Sequence, residues 1–144
     1  MSILTKPEIL KAIKRGRIAI DPYDPSAVGP GSIDLTLDDK FRVFKRLKTV
    51  HDAKKTDYKD ITKLVKRKTI VVRPGETILG ITLEKVTLAS DLCGWLEGRT
   101  RFARLGLLIH ISASFMQPGI SNKQVLEISN MGHTPLRLEA GMRI

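Results

Sequence analysis

Cysteine is nearly missing from this sequence: Cys93 is the only one in 144 residues, which excludes an internal disulfide and agrees with a reducing, cytoplasmic setting. Histidine is also scarce. His51, His110 and His133 lie far apart, so no metal-ligand spacing is present. No apolar run reaches the roughly 18 residues that a membrane-spanning helix needs, so no membrane association is expected. The opening MSILTKPEIL lacks a charged segment followed by an apolar one, so secretion is not expected either. Aromatic residues make up 5% of the chain, too few for an array of base-stacking platforms. No helix-turn-helix, zinc-finger or RNP-like pattern occurs.

What is abundant is positive charge. Net charge is +10, and residues 40–68 hold 12 of the 25 basic residues against three of the 15 acidic ones. Such a block raises nucleic-acid binding as a possibility, because phosphate neutralisation is the main sequence-independent source of that affinity. With few aromatics and no recognition motif, a solvated, partly helical excursion is the favoured account.

Many short apolar runs separated by Pro and Gly turns, with little helix, predict an all-β barrel or sandwich. Strands are expected at Ile18 to Ile20, Ser32 to Leu37, Phe41 to Phe44, Thr69 to Val72, Thr77 to Leu83, Val86 to Leu88, Leu107 to Ile111 and Lys123 to Ser129. One helix opens the chain. Thr5, Lys6, Pro7 and Glu8 read as a capping box, Ile9, Leu10 and Ile13 as its apolar stripe, and Gly16 as its stop. With 42% hydrophobic residues and no internal linker or repeat, one domain with a real core is expected.

The stretch from Gly94 to Glu127 carries the chemistry. Arg99, Thr100, Arg101 and Arg104 crowd one polar turn, and Glu127 is a lone acid among apolar residues. Alternation puts Val125, Glu127 and Ser129 on one strand face and Leu126 and Ile128 on the other. A carboxylate so placed is either paired with a cation or held with a raised pKa. Guanidinium groups suit phosphate and a carboxylate suits proton transfer, while a buried Arg-Glu pair that only stabilises the fold fits the same residues. His110, between Ile109 and Ile111, reads as a packed, hydrogen-bonded core histidine. Asp34 either faces solvent or orients a neighbour of the site, with a structural role favoured.

GRTRFARLGL (Gly98 to Leu107), with GSIDLTL upstream and VLEISN and GMRI downstream, resembles the dCTP deaminase family, which belongs with the trimeric dUTPases. The resemblance covers most of the chain and implies a distorted β-barrel, jelly-roll-like fold with a helical turn at Arg99 to Leu105 whose N-terminal amides favour phosphate. It implies hydrolytic deamination of dCTP to dUTP and ammonia. Zinc-dependent nucleobase deaminases hold their metal with ligands that a one-cysteine chain cannot supply, so a zinc-independent route is expected. Glu127 matches the catalytic carboxylate, Thr100 the first serine of the motif, and Arg104 the arginine that stabilises developing charge. The carbonyl of Ala113 would position the water, and Arg99 and Arg101 would lie at the nucleotide phosphates.

Magnesium would arrive on the triphosphate, and sites would form between the subunits of a homotrimer. The family's further strands and C-terminal tail have no counterpart in this sequence. Three positions depart from the pattern: Arg101 replaces a second serine, Phe115 an arginine common in bacterial deaminases, and Gln117 the aspartate of an I-D-P-G motif. That aspartate contacts the sugar in deaminases and acts as the base in dUTPases. A dUTP diphosphatase, a bifunctional enzyme, and a non-catalytic nucleotide- or nucleic-acid-binding relative stay open as alternatives.

Overall fold

The computed structural model describes residues 2–144. Helix α1, Lys6–Lys14, has proline in its first turn and ends before Gly16, whose φ of 70° suits glycine. The capping box does not form: the Thr5 hydroxyl bonds the Glu8 carboxylate and caps no amide. The buried face also differs from the expected stripe, since Ile9 and Ala12 are buried while Leu10 is exposed.

Ten strands follow in chain order: β1 Ile18–Asp21, β2 Lys40–Phe44, β3 Thr62–Lys66, β4 Thr69–Val72, β5 Thr77–Leu88, β6 Gly94–Trp95, β7 Leu107–Leu108, β8 Phe115–Met116, β9 Ser121–Asn130 and β10 Leu136–Glu139. One-turn helices α2, Tyr58–Ile61, and α3, Thr100–Ala103, interrupt them. The all-β class expected from the sequence holds, as one six-stranded sheet and two strand pairs, β10-β4 and β6-β8, that do not close into a continuous barrel.

Strand β5 organises the large sheet, whose order is β3-β2-β5-β9-β7 with β1 also on β5. The sequence suggested two strands here; instead one 12-residue strand passes through a register shift between Ile81 and Lys85. Its first half pairs with β2, its last residues with β1, and β9 runs along its other edge. Ile78, Val86 and Leu88 point into the core, where Leu37, Phe41, Leu107 and Ile128 are almost fully buried. Burying such side chains stabilises each by about 1.5–3 kcal/mol relative to exposure. The segment 32–37, expected as a strand, makes only isolated bridges, Ile33 to Val28, Thr36 to Arg143 and Leu37 to Thr82.

Buried polar groups at the shift are satisfied. The Thr82 hydroxyl donates to the Glu84 carbonyl and accepts from the Gln124 amide, while the Glu84 carboxylate accepts from the Thr36 amide. Beside them, burial of Asp38 opposes its ionisation. The Asp39 amide, Lys123 at 3.1 Å and Lys40 at 4.0 Å outweigh that cost and lower its pKa from the ordinary 3.8. A lowered pKa adds stability that is complete above the unfolded value and is lost as pH falls through the folded one. Lys123→Gln is therefore expected to melt below the wild type at pH 6, with the gap closing as pH falls below about 4. A gap in Tm independent of pH would contradict this coupling.

The turn after α3 is locked onto the end of β9. Gly106 has a φ of 80°, its carbonyl accepts from the Met131 amide at 2.8 Å, and a Cβ there would lie 2.7 Å from Gly132 backbone. Gly106→Ala is expected to cost at least ~2 kcal/mol, since the left-handed penalty alone is about 1–2 kcal/mol. Chemical denaturation measures it, and an unchanged midpoint would contradict the packing described.

Candidate active site

Glu127 stands in the middle of β9, paired with Leu79 of β5. The predicted alternation holds next to it: Leu126 and Ile128 are buried, whereas Val125 is 50% exposed and the Glu127 side chain 26%. The acid therefore lies on the outer face of the large sheet. In register across that face run Leu64, Arg42, Leu79 and Glu127.

Neither partner nor pKa is what the sequence suggested. No arginine pairs with Glu127 among the described residues; its Oε2 accepts from the Ser112 amide at 2.8 Å, the Ile111 amide at 3.2 Å and the Ser112 hydroxyl at 3.3 Å. Burial pushes its pKa up. The Ser112 amide, the nearby His110 ring, the Ile111 amide and the Ser112 hydroxyl together overcome that push and hold the carboxyl below its ordinary value. At neutral pH Glu127 is an ionised acceptor.

His110 is buried as expected, with 5% side-chain exposure, but the expected hydrogen bond is absent. Neither ring nitrogen has a partner among the described residues, and Nε2 lies 4.0 Å from the Glu127 carboxylate. The ring also lines a cavity of about 710 Å³ shared with Asp34, Arg99, Thr100 and Ile109.

The basic motif lies on α3. Arg99 precedes the helix, and its carbonyl accepts from the Phe102 and Ala103 amides. Its guanidinium lies 3.6 Å from the Asp34 carboxylate, so Asp34 faces the motif and orients one of its members. Arg101 extends over the Phe102 ring at 5.2 Å. Arg99, Thr100 and Arg101 border a shallow hollow, while Arg104 makes no side-chain hydrogen bond or ion pair among the described residues.

Thus Arg99, Thr100 and Arg101 are gathered together, and Ala113 follows directly on the Ile111-Ser112 turn that grips Glu127. No hydrogen bond or ion pair joins Glu127 to Thr100 or Arg104 among the described residues. Phe115 and Gln117 fall on and just after β8. Phe115 packs its ring against Trp95, centroids 5.4 Å apart, and the Gln117 carbonyl closes the turn at Ile120. Ser112 and Trp95 were not singled out in the sequence; Ser112 lies in the irregular segment 109–114, which has no periodicity to read, and Trp95 on the two-residue strand β6.

Among the described residues no group of three or more His, Cys, Asp or Glu is placed to hold a metal ion. No helix among them is long and apolar enough to cross a membrane.

A family model described as dCTP deaminase-like matches residues 3–144. The chain is 43% identical over 145 residues to a protein of Mycolicibacterium vanbaalenii named "dCTP deaminase, dUMP-forming", covering 99% of this chain and 76% of that one. A protein of the same name from Parafrankia is 43% identical, with 99% and 72% covered. The crystal structure of 2'-deoxycytidine 5'-triphosphate deaminase from Agrobacterium tumefaciens superposes with a TM-score of 0.73 at 18% identity. It covers 98% of this chain and 45% of its own, and at that identity the likeness is one of fold. The same outer-face acid and Gly98 to Leu107 motif on which the resemblance rested thus sit in a matching fold, and the chain belongs to the dCTP deaminase-like family.

Proposed function

We propose that this chain deaminates dCTP hydrolytically to dUTP and ammonia, without zinc and with magnesium carried by the substrate triphosphate. The observation that carries the reading is the isolated, ionised Glu127, held in place by the Ser112 and Ile111 amides on an open sheet face. Glu127 takes a proton from a water set against C4 of cytosine and delivers it to N3. The second water proton follows to the amine, the C4–N bond breaks, ammonia leaves, and the water oxygen stays on C4 as the uracil carbonyl.

The Ala113 carbonyl and the Thr100 hydroxyl hold water and base. Arg104 meets the charge that develops at the ring. Arg99, steadied by Asp34, and Arg101 grip the phosphates. Phe115 and Gln117 border the nucleotide from the β8 side.

The site forms between subunits of a homotrimer. Two features support this: no hydrogen bond or ion pair joins Glu127 to Thr100 or Arg104 within one chain, and the face bearing Glu127 also exposes Leu64, Leu108 and Val125. A partner covering those side chains would bring a second copy of the basic motif to the carboxylate.

The relatives' names give dUMP as product, which requires loss of diphosphate as well as the amine. Glutamine at 117 cannot accept a proton at neutral pH, so the reaction assigned here ends at dUTP. Incubation with dCTP and magnesium tests the reading. Ammonia and dUTP in equal amounts support it, dUMP with pyrophosphate would show that Gln117 does not prevent the second cleavage, and absence of ammonia would contradict deamination.

A further inference from the structure

The charge excess has a definite seat. Residues 40–68 hold 12 basic and three acidic residues, whereas the remainder holds 13 and 12. The block is solvated and partly helical as expected, with helix α2 near its end, and its frame is a two-stranded antiparallel ribbon, β2 with β3, forming one edge of the large sheet. Its tip runs from Lys45 to Asp57, and every residue from Phe44 to Lys55 is exposed.

Its acids do not neutralise it. Asp52 accepts from the Lys54 backbone amide at 2.9 Å and Asp57 from the Lys59 amide at 2.8 Å. Of the ion pairs among the described residues, only Lys40 with Asp38 and Lys66 with Asp39 reach the ribbon. Arg46, Lys48, Lys54, Lys55 and Lys63 are left without an anion among those residues. Lysines on an edge strand deter edge-to-edge pairing, which accounts for Lys63 and Lys66 on β3. It does not account for the cations at the tip, which lie outside any strand.

We infer that the β2-β3 ribbon and its basic tip form a binding surface for the phosphate backbone of duplex nucleic acid. Unpaired like charges repel one another and gain most from a dense polyanion, by displacing its condensed counterions. Duplex is favoured over single strands because the ribbon offers few stacking surfaces. Its aromatic residues beyond the buried Phe41 are Phe44 and Tyr58, and the Tyr58 ring already carries Arg42 at 5.1 Å and Lys59 at 5.8 Å. A lipid surface is disfavoured because the ribbon's only helix, Tyr58–Ile61, is a single turn and supplies no amphipathic face to insert.

The test is fluorescence anisotropy of the full chain with a labelled mixed-sequence DNA duplex between about 50 and 200 mM salt, roughly the range over which phosphate contacts reveal themselves. The wild type is expected to bind with a steep salt dependence. The variant R46Q/K48Q/K54Q/K55Q should lose about 0.9 from the slope of log K against log salt per contact removed. Lys11→Gln with Lys14→Gln, on α1 away from the ribbon, should leave the slope unchanged. No binding at the lowest salt, equal slopes for wild type and ribbon variant, tighter binding to single strands, or capture by phosphatidylserine vesicles but not by duplex would each overturn the assignment.

Discussion

Replacing Glu127 by glutamine is expected to lower the rate of ammonia release from dCTP by about 10²–10⁴-fold, the usual range for loss of a general acid-base group, while nucleotide binding is retained. Folding should survive the change, because the amide oxygen of the substituted side chain still accepts from the Ser112 and Ile111 amides that hold the carboxylate. What is lost is the proton acceptor. In the wild type the carboxyl sits below its ordinary 4.5, so the acid limb of kcat/KM should fall below that pH. Single-turnover assays with nucleotide-binding measurements separate the two effects. Unchanged ammonia release would remove Glu127 from its role, and loss of binding together with turnover would make it a structural residue.

The second large effect concerns two inactive proteins that restore each other. Arg104→Ala should be as inactive as Glu127→Gln, since a carboxylate without the neighbouring cation leaves developing charge unopposed. Mixing the two after subunit exchange should recover roughly a quarter of wild-type turnover, because random assembly joins an intact Glu127 to an intact Arg104 at about one site in four. Measured ammonia release from the exchanged mixture decides it. No recovery, with exchange demonstrated by mass, would place both residues in one subunit and contradict the shared site. The expectation rests on the lack of a hydrogen bond or ion pair between Glu127 and Arg104 in one chain and on the exposed Leu64, Leu108 and Val125 around the acid.

How far the sequence could be read follows from which features are periodic. Alternation along β9 put Glu127 on the face opposite Leu126 and Ile128, and those two are the residues that the core buries. Gly106 directly follows the helical turn expected at Arg99 to Leu105, and its φ of 80° favours glycine there. The grip on Glu127 was not legible. It comes from backbone amides of Ile111 and Ser112, and an amide donor has no signature in side-chain identity.

The edge strand β3 was missed for a different reason. Val65 packs against the core and Thr62 is buried on the other face by bonds to Arg42 and the Tyr58 carbonyl, while Lys63, Leu64 and Lys66 are exposed, so its pattern resembles a solvated basic segment more than a half-buried strand. The capping box at Thr5 failed because the hydroxyl found the Glu8 carboxylate in place of an amide. Asp34 became readable only when the fold set it 3.6 Å from Arg99, since the long stretch of chain between the two carries no hint of that approach.

The most direct test of the central claim is to run the reaction on dCTP in ¹⁸O-enriched water and locate the heavy oxygen by mass spectrometry. Deamination assisted by Glu127 predicts one heavy oxygen in the uracil base, none gained on the phosphates, and ammonia in equal amount. Heavy oxygen on phosphate with the cytosine intact, or no product at all, would contradict it.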